Sequence, residues 1–139
     1  MFKSIRAWFA NIGKLPAALM VELQSEGIIL MNEKLRGTIT YRDFHAPGKR
    51  FLYKKSAFTS TIVVTQTRLF ATSFSKPAIN VPFTDERIRL MQFSVADGPK
   101  LCVFFDAPLF HPDWSGKLEF RFKTQEAQRF LDTIQQKIA

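Results

Sequence analysis

The side chains in this sequence that could serve as nucleophile, general base or metal ligand are few. His45 lies two residues after Asp43, His111 lies two residues before Asp113, and Cys102 is the single cysteine. A histidine beside a carboxylate can abstract protons or bind a metal, and a cysteine thiolate can attack an electrophile. These residues are therefore the candidates for catalysis.

Their sequence context argues against that chemistry. Cys102 has apolar neighbours on both sides, which favours a buried, inert thiol over an activated thiolate. The two histidines have no obvious third ligand, and the chain contains no Gly-rich phosphate loop, HExxH motif or GxSxG motif. We expect a protein that is not an enzyme and needs no cofactor or metal. A small enzyme or a metal-binding protein is the weakest alternative.

The strongest compositional signal is positive charge. The chain has 20 Lys and Arg against 12 Asp and Glu, a net charge of +8, and most of the excess lies in residues 1–56. Such a chain favours phospholipid headgroups, nucleic acid or acidic protein as partners, although a solvated basic face without a partner is equally consistent with the composition. The candidate anion-binding residues are Lys3, Arg6, Lys14, Lys34, Arg36, Lys49, Arg50, Lys54 and Lys55.

The N-terminal segment is predicted to be helical. Residues 2–15 place aromatic and aliphatic side chains on one arc of a helix and cations on another. This basic amphipathic helix either packs on the rest of the protein, the favoured interpretation, or lies in a membrane interface; a targeting peptide is a third possibility. A second helix is expected from Pro16 to about Ser25. We divide the chain into a helical segment over 1–26 and a domain over 27–139.

From Ile28 the apolar pattern alternates, which predicts strands. After a first strand containing Leu35, Ile39 and Tyr41 and a polar loop over 46–50, we predict strands at 57–65, 68–74, 78–83, 88–95, 100–106 and 117–123. Residues 124–138 are predicted to form a helix with an apolar stripe and Thr124 as N-cap. The predicted fold is mainly β, a barrel of about seven or eight antiparallel strands capped by a C-terminal helix.

One ordered pattern resembles a known superfold. The pattern begins with a strand, Thr65-x-x-Arg68-Leu69-Phe70 and a further strand with Ile79-x-Val81-Pro82-Phe83, and it continues with more strands and a C-terminal helix. This order resembles the pleckstrin-homology-like (PH-like) superfold, especially its GRAM-type branch and small bacterial relatives. The resemblance covers about residues 28–138. It implies a barrel that presents ligands in variable loops, phosphoinositides in some members and protein segments in many. The residues themselves favour a fold-maintaining role for Arg68, hydrogen-bonded across its turn.

The phosphoinositide pattern of that superfold is matched only in part. Lys34-x-Arg36 approaches it, and Lys49-Arg50 with Lys54-Lys55 forms a second cluster in what we predict to be the following loop. Phosphate recognition requires several donors that converge on one headgroup, so we expect at most a nonspecific anionic patch. Phe51 and Tyr53 between these cations could stack nucleobases, which keeps nucleic-acid binding as an alternative.

Taken together, these patterns predict a noncatalytic binding or scaffolding domain that engages a protein partner or an anionic membrane surface. A single cysteine rules out an intrachain disulfide and favours a reducing cytoplasm. The chain has no uninterrupted apolar run of the length needed to span a bilayer. We therefore expect a cytoplasmic protein, with peripheral attachment to the inner face of the membrane as an option.

Overall fold

The computed structural model describes residues 15–139, so nearly all of the predicted amphipathic helix over 2–15, with Lys3, Arg6 and Lys14, lies outside the described residues. Within them, the elements in chain order are α1 (Ala17–Glu26), β1 (Ile28–Ala46), β2 (Lys49–Thr65), β3 (Arg68–Ser73), β4 (Lys76–Pro82), a 3-10 helix (Glu86–Leu90), β5 (Gln92–Ala96), β6 (Lys100–Asp106), a 3-10 turn (Ala107–Leu109), β7 (Ser115–Lys123) and α2 (Ala127–Ile138).

The seven strands of the described region form one antiparallel sheet. Their order is β4-β3-β2-β1-β7-β6-β5, so the long strand β1 joins an N-terminal meander to a C-terminal one. Strands β4 and β5 are the two edges and do not pair with each other. The mainly β fold and the C-terminal helix are confirmed, while the sheet is open rather than a hydrogen-bonded closed barrel.

Two predicted strands begin at the wrong residue. Strand β2 begins at Lys49 rather than at residue 57, because its N-terminal half pairs with β1 across a two-residue turn. In this turn Gly48 has φ +77°, as the third residue of a type II turn requires. Residues 88–90 of the predicted strand 88–95 belong to the 3-10 helix Glu86–Leu90, because Asp85 accepts a hydrogen bond from the Arg87 amide at 3.0 Å and starts a helical turn.

The main core lies on one face of the sheet, which we call the inner face. Helix α2 covers part of it with Ala127, Phe130 and Ile134, which are buried, as the predicted stripe required. The N-cap of α2 is Glu126 rather than the predicted Thr124, whose hydroxyl accepts a hydrogen bond from the Glu126 amide at 3.1 Å just before the helix. Helix α1 packs on the other side of β2 and β3. Val63 and Phe70 are therefore buried on that side, in a second cluster.

We call the opposite side of the sheet the outer face. The second cluster packs helix α1 against this face. Leu23 is completely buried against Val63 and Phe70. The helix begins after Pro16 and ends at Glu26, with Gly27 at φ +84°, close to the prediction of a helix from Pro16 to about Ser25. Among the described residues, α1 covers the outer face only near the C-terminal end of β2.

An ion pair between Glu26 and Arg68 connects the helix to the Thr65-x-Thr67-Arg68 turn. Arg68 Nε donates to Glu26 Oε1 at 2.9 Å and Arg68 Nη2 lies 2.7 Å from Glu26 Oε2. The Thr65 and Thr67 hydroxyls donate to the same carboxylate at 3.0 and 2.9 Å. Arg68 was expected to bond carbonyls or a carboxylate across its turn; the carboxylate that it bonds, Glu26, belongs to α1, so this turn motif anchors the helix.

A bulge in β1 redirects the side chains near the hairpin tip. Asp43 has φ +49°, and the register with β7 shifts between Arg42 and His45. Gly116 of β7 passes so close that a Cβ there would lie 2.4 Å from the Asp43 carbonyl oxygen. Bulges alter the aim of neighbouring side chains. Here Phe44 lies in the main core, with its ring 5.0 Å from that of Tyr41.

Candidate functional site

The part of the outer face that no helix of residues 15–139 covers is a basic surface. Directly opposed residues of antiparallel strands project from the same side of a sheet, so the register assigns side chains to each face. Thr38, Thr40 and Arg42 alternate with the core-facing residues of β1 and therefore point outward. Reading the register across β2, β1, β7 and β6, the cations of this outer surface are Arg36, Arg42, Lys55, Lys100, Lys117, Arg121 and Lys123.

Two carboxylates on the same face neutralise only part of this charge. Glu119 lies 3.0 Å from Arg42 and 3.5 Å from Arg121, and Asp106 lies 3.0 Å from Lys117. The other four cations of the face, Arg36, Lys55, Lys100 and Lys123, form no ion pair with the described residues. The surface therefore has an excess of five positive charges on one side of the sheet, enough to attract an anionic partner.

The β1–β2 hairpin extends this surface to an apolar tip. Its turn is followed by Lys49 and Arg50, and then by Leu52 and Tyr53, which are 82% and 60% exposed. The Arg42 guanidinium lies 5.9 Å from the centre of the Tyr53 ring. Leu52 and Tyr53 thus place two exposed apolar side chains next to cations, a combination found on surfaces that lie in a membrane interface.

The structure separates the predicted cations into different sites. Arg36 and Lys55 belong to the outer surface, whereas Lys54 lies opposite Tyr41 on the inner side, with its ammonium 4.4 Å from the centre of the Phe51 ring. Lys34 lies in an irregular part of β1 with φ +56°.

The two sequence clusters do not converge on one headgroup. Ala46, the pairing partner of Lys49, is ten residues beyond Arg36 along β1, so Arg36 and Lys49 are about 30 Å apart along the strand. The prediction that Lys49, Arg50, Lys54 and Lys55 lie in a loop is also wrong, since all four are in strand β2.

Sequence reasoning missed most of the outer surface. The missed cations are Arg42, Lys100, Lys117, Arg121 and Lys123. Strand β7 does contain a usable signal, because Lys117, Glu119, Arg121 and Lys123 alternate with Leu118, Phe120 and Phe122. The alternation marks a polar face of β7, but only the register shows that this face adjoins Arg42 and Lys55.

The residues with potential for catalysis are dispersed. Cys102 is buried, as expected, and the register places it beside Arg121. His45 is exposed on β1 near the hairpin turn, and the His111 ring stacks on Trp114 with their centres 3.7 Å apart. Asp43 occupies the bulge, where its backbone lies against Gly116. Across residues 15–139, no three His, Cys, Asp or Glu side chains gather as a metal site would require.

Comparison with known proteins does not assign this surface, since no protein-family model matches the chain and no curated protein resembles it significantly. In the part of the chain that the structure describes, none of the helices has the length and apolar character needed to cross a bilayer. The case for a function therefore depends on the geometry and charge of the outer surface and the hairpin.

Proposed function

We propose that this chain is a noncatalytic binding domain that attaches peripherally to anionic membrane surfaces through the outer surface and the tip of the β1–β2 hairpin. The observation that carries the proposal is the combination of seven cations on a sheet face that no helix of residues 15–139 covers with the exposed Leu52 in the β1–β2 hairpin. Cations attract acidic headgroups, and an exposed leucine gains free energy by entering the acyl boundary.

The expected attachment is weak and sensitive to salt. Each Lys or Arg close to an acidic leaflet contributes about 1 kcal/mol, and this attraction fades beyond about 8–10 Å at physiological ionic strength. The four cations without ion pairs would thus contribute about 4 kcal/mol, and the three paired ones less, because Glu119 and Asp106 already neutralise them. Burial of Leu52 would add at most about 2 kcal/mol.

The proposal includes a PH-like fold. Supporting it, the first four strands form a consecutive meander, β7 returns to pair with β1, and the C-terminal helix packs against β2, β5 and β6. A PH-like barrel in this chain would have its seam between β4 and β5. In that arrangement the hairpin tip is a loop-end site of the kind in which members of the superfold bind ligands. The predicted basic amphipathic helix over residues 2–15, which carries Trp8 and Phe9, would add a second, aromatic anchor.

Vesicle co-sedimentation tests the membrane proposal. The full chain is mixed at low salt with neutral phosphatidylcholine vesicles and with vesicles containing phosphatidylserine. We expect sedimentation only with the acidic vesicles and its loss as salt rises. The charge-reversal pair Lys55→Glu and Lys123→Glu should weaken binding about tenfold or more, because four units of charge change on the contact face.

A matched variant separates local from total charge. Lys76→Glu with Arg89→Glu makes the same change in net charge at exposed positions outside the outer surface, and it should sediment nearly as the parent does. Leu52→Ser should weaken binding without changing its salt dependence. Equal losses from both charge-reversal pairs, or no preference for acidic vesicles, would contradict the proposed surface.

One observation favours single-stranded nucleic acid as a second candidate. The outer surface includes two aromatic rings, Tyr53 and Phe104, and the Lys117 ammonium lies 5.6 Å from the centre of the Phe104 ring. Exposed rings among cations can stack nucleobases. Tight, salt-sensitive binding of a labelled oligonucleotide that Tyr53→Ala abolishes, with no binding to vesicles, would establish this function instead. Binding of neither would favour an acidic protein partner.

A further inference from the structure

A cavity of about 460 Å³ lies on the inner face, away from the basic outer surface. Its walls are strand β4, the segment 110–114 between β6 and β7, and the central parts of β1 and β7. Ligand pockets in proteins typically have volumes of about 300–1,000 Å³. Since Pro77, Asn80 and His111 on its rim are exposed, the cavity opens to solvent between the edge strand and this connection.

The deep part of the cavity is apolar. Ile39, Leu118 and Phe120 form its floor on the sheet, and Phe110 and Trp114 close it from the connection. The Trp114 ring is held in place by stacking on His111 and by an edge contact to Phe44, with ring centres 5.3 Å apart. The bulge at Asp43 is responsible for the second contact, because it brings Phe44 to the inner face.

The polar groups at the cavity are hydrogen-bond donors. Tyr41 and Ser73 contribute hydroxyls, and burial raises the pKa of Tyr41, so this hydroxyl remains protonated. None of the residues that line the cavity is Asp or Glu. Such a rim suits an anionic oxygen acceptor.

Two lysines add positive charge beside the cavity. Lys76 is exposed and lies directly opposite Ser73, and Lys54 lies directly opposite Tyr41. A ligand with an apolar body and one anionic end would therefore place the body against the aromatic floor and the anion among donors and cations. A cationic ligand would meet no carboxylate in the walls.

We propose that this cavity binds the aliphatic chain of a long-chain fatty acid, with the carboxylate at the rim near Ser73 and Lys76. The site uses the inner face of the sheet, with hydroxyl donors and two lysines that do not belong to the outer surface, so it is independent of the attachment proposed there. Either activity can be present without the other.

Trp114 provides the readout. The chain has two tryptophans, so Trp8→Phe leaves Trp114 as the single indole reporter. This variant is titrated with saturated fatty acids of 8 to 16 carbons, each below its micelle concentration, and the fluorescence change is fitted to one site. Each added methylene should tighten binding about fourfold, the factor that corresponds to 0.8 kcal/mol per buried CH₂, until the cavity is full.

Matched variants locate the site. Ala78→Phe fills the cavity from β4 and should weaken binding at least tenfold, whereas Ala57→Phe makes the same change on the outer face and should not. Ser73→Phe is a second filling variant for use if the first lowers the melting temperature. Lys76→Glu should lower the affinity for the fatty acid and leave the affinity for the corresponding fatty alcohol unchanged.

Several outcomes would overturn the proposal. These are the absence of a Trp114 response to any acid, an affinity that does not depend on chain length, and full binding by folded Ala78→Phe and Ser73→Phe. Binding of an apolar peptide or an aromatic compound in preference to every fatty acid would equally overturn it. Loss of vesicle attachment through Lys55→Glu and Lys123→Glu should leave the titration unchanged, which keeps the two proposals separable.

Discussion

Replacement of Arg68 is the sharpest test of how the helix α1 is held. The Arg68 and Glu26 side chains are 13% and 20% exposed, so both are largely withdrawn from water. In Arg68→Met the apolar bulk is retained, but Glu26 loses its cation and two close contacts. Removing one partner of a charged hydrogen bond costs about 1.5–3 kcal/mol, and breaking a fully buried ion pair costs about 3–5 kcal/mol. We expect a loss of about 3 kcal/mol.

Glu26→Gln should lower the free energy of unfolding by about 1–2 kcal/mol, less than Arg68→Met does. The reason is that the amide oxygen can still accept hydrogen bonds from the hydroxyls of Thr65 and Thr67. In the double variant of Glu26→Gln with Arg68→Met, the loss in the free energy of unfolding should differ from the sum of the two single losses by a coupling energy of about 1–2 kcal/mol. Glu22 approaches Arg68 at 3.2 Å but is 61% exposed, so Glu22→Gln should change stability by under about 0.5 kcal/mol.

The same ion pair should make stability depend on acid pH. Burial tends to raise the pKa of Glu26, but hydrogen bonds from Arg68, Thr67 and Thr65 outweigh it and hold that pKa below its ordinary value of 4.5. A lowered folded-state pKa stabilises the protein above the unfolded value, and this contribution disappears as the pH falls through the folded value. The difference in stability between the parent and Glu26→Gln should therefore be constant above about pH 5.5 and shrink below pH 4.5.

Urea unfolding followed by circular dichroism, at several pH values, measures all of these quantities. A loss under about 1 kcal/mol for Arg68→Met, or additive losses in the double variant, would refute the reasoning. An unchanged slope of free energy against urea concentration would show that the variants unfold from the same compact state.

Three further predictions concern the core and the bulge. Phe130→Ala removes a fully buried ring and should cost about 3–5 kcal/mol in the free energy of unfolding; under about 1 kcal/mol would mean that α2 is not core. Gly116→Ala should cost at least about 2 kcal/mol, because its φ is +97° and the Cβ would meet Asp43 at 2.4 Å; a neutral result would mean that β1 and β7 separate there easily. Cys102 should react with a thiol reagent at least about tenfold more slowly in the folded protein than in urea, and equal rates would contradict its burial.

Local periodicity was sufficient for the elements with a single buried face. The stripe of α2 and the alternation of β7 are visible in the chain because each has one partner layer, and their predicted bounds differ from the observed ones by three residues or fewer. The predicted bounds of strand β6, residues 100–106, are the observed ones. Residues 49–56 were missed because they hold cations and few core positions, so the β1 backbone rather than local preference makes them a strand.

The candidate site was harder to predict, since it depends on register between distant segments. Lys117 adjoins Arg42, and Arg42 adjoins Tyr53, only because β7 and β2 pair with opposite edges of β1. A one-residue shift in either pairing would turn Lys117 or Tyr53 to the core side. No pattern within a single strand specifies that alignment. The same holds for the cavity, whose walls come from β1, β4 and β7 and the connection before β7.

The central position of β1 has a consequence for synthesis on the ribosome. Strands β1 to β4 can pair as consecutive hairpins soon after they emerge, but the other edge of β1 waits for β7, since Gly37 pairs with Phe122. Closing contacts between distant segments is slow, and a long unpaired edge can template association with other chains. Until β7 is made, the cations Arg36 and Arg42 on that edge would keep nascent chains apart by mutual repulsion. The charge that we assign to binding would thus also protect the unfinished protein from aggregation.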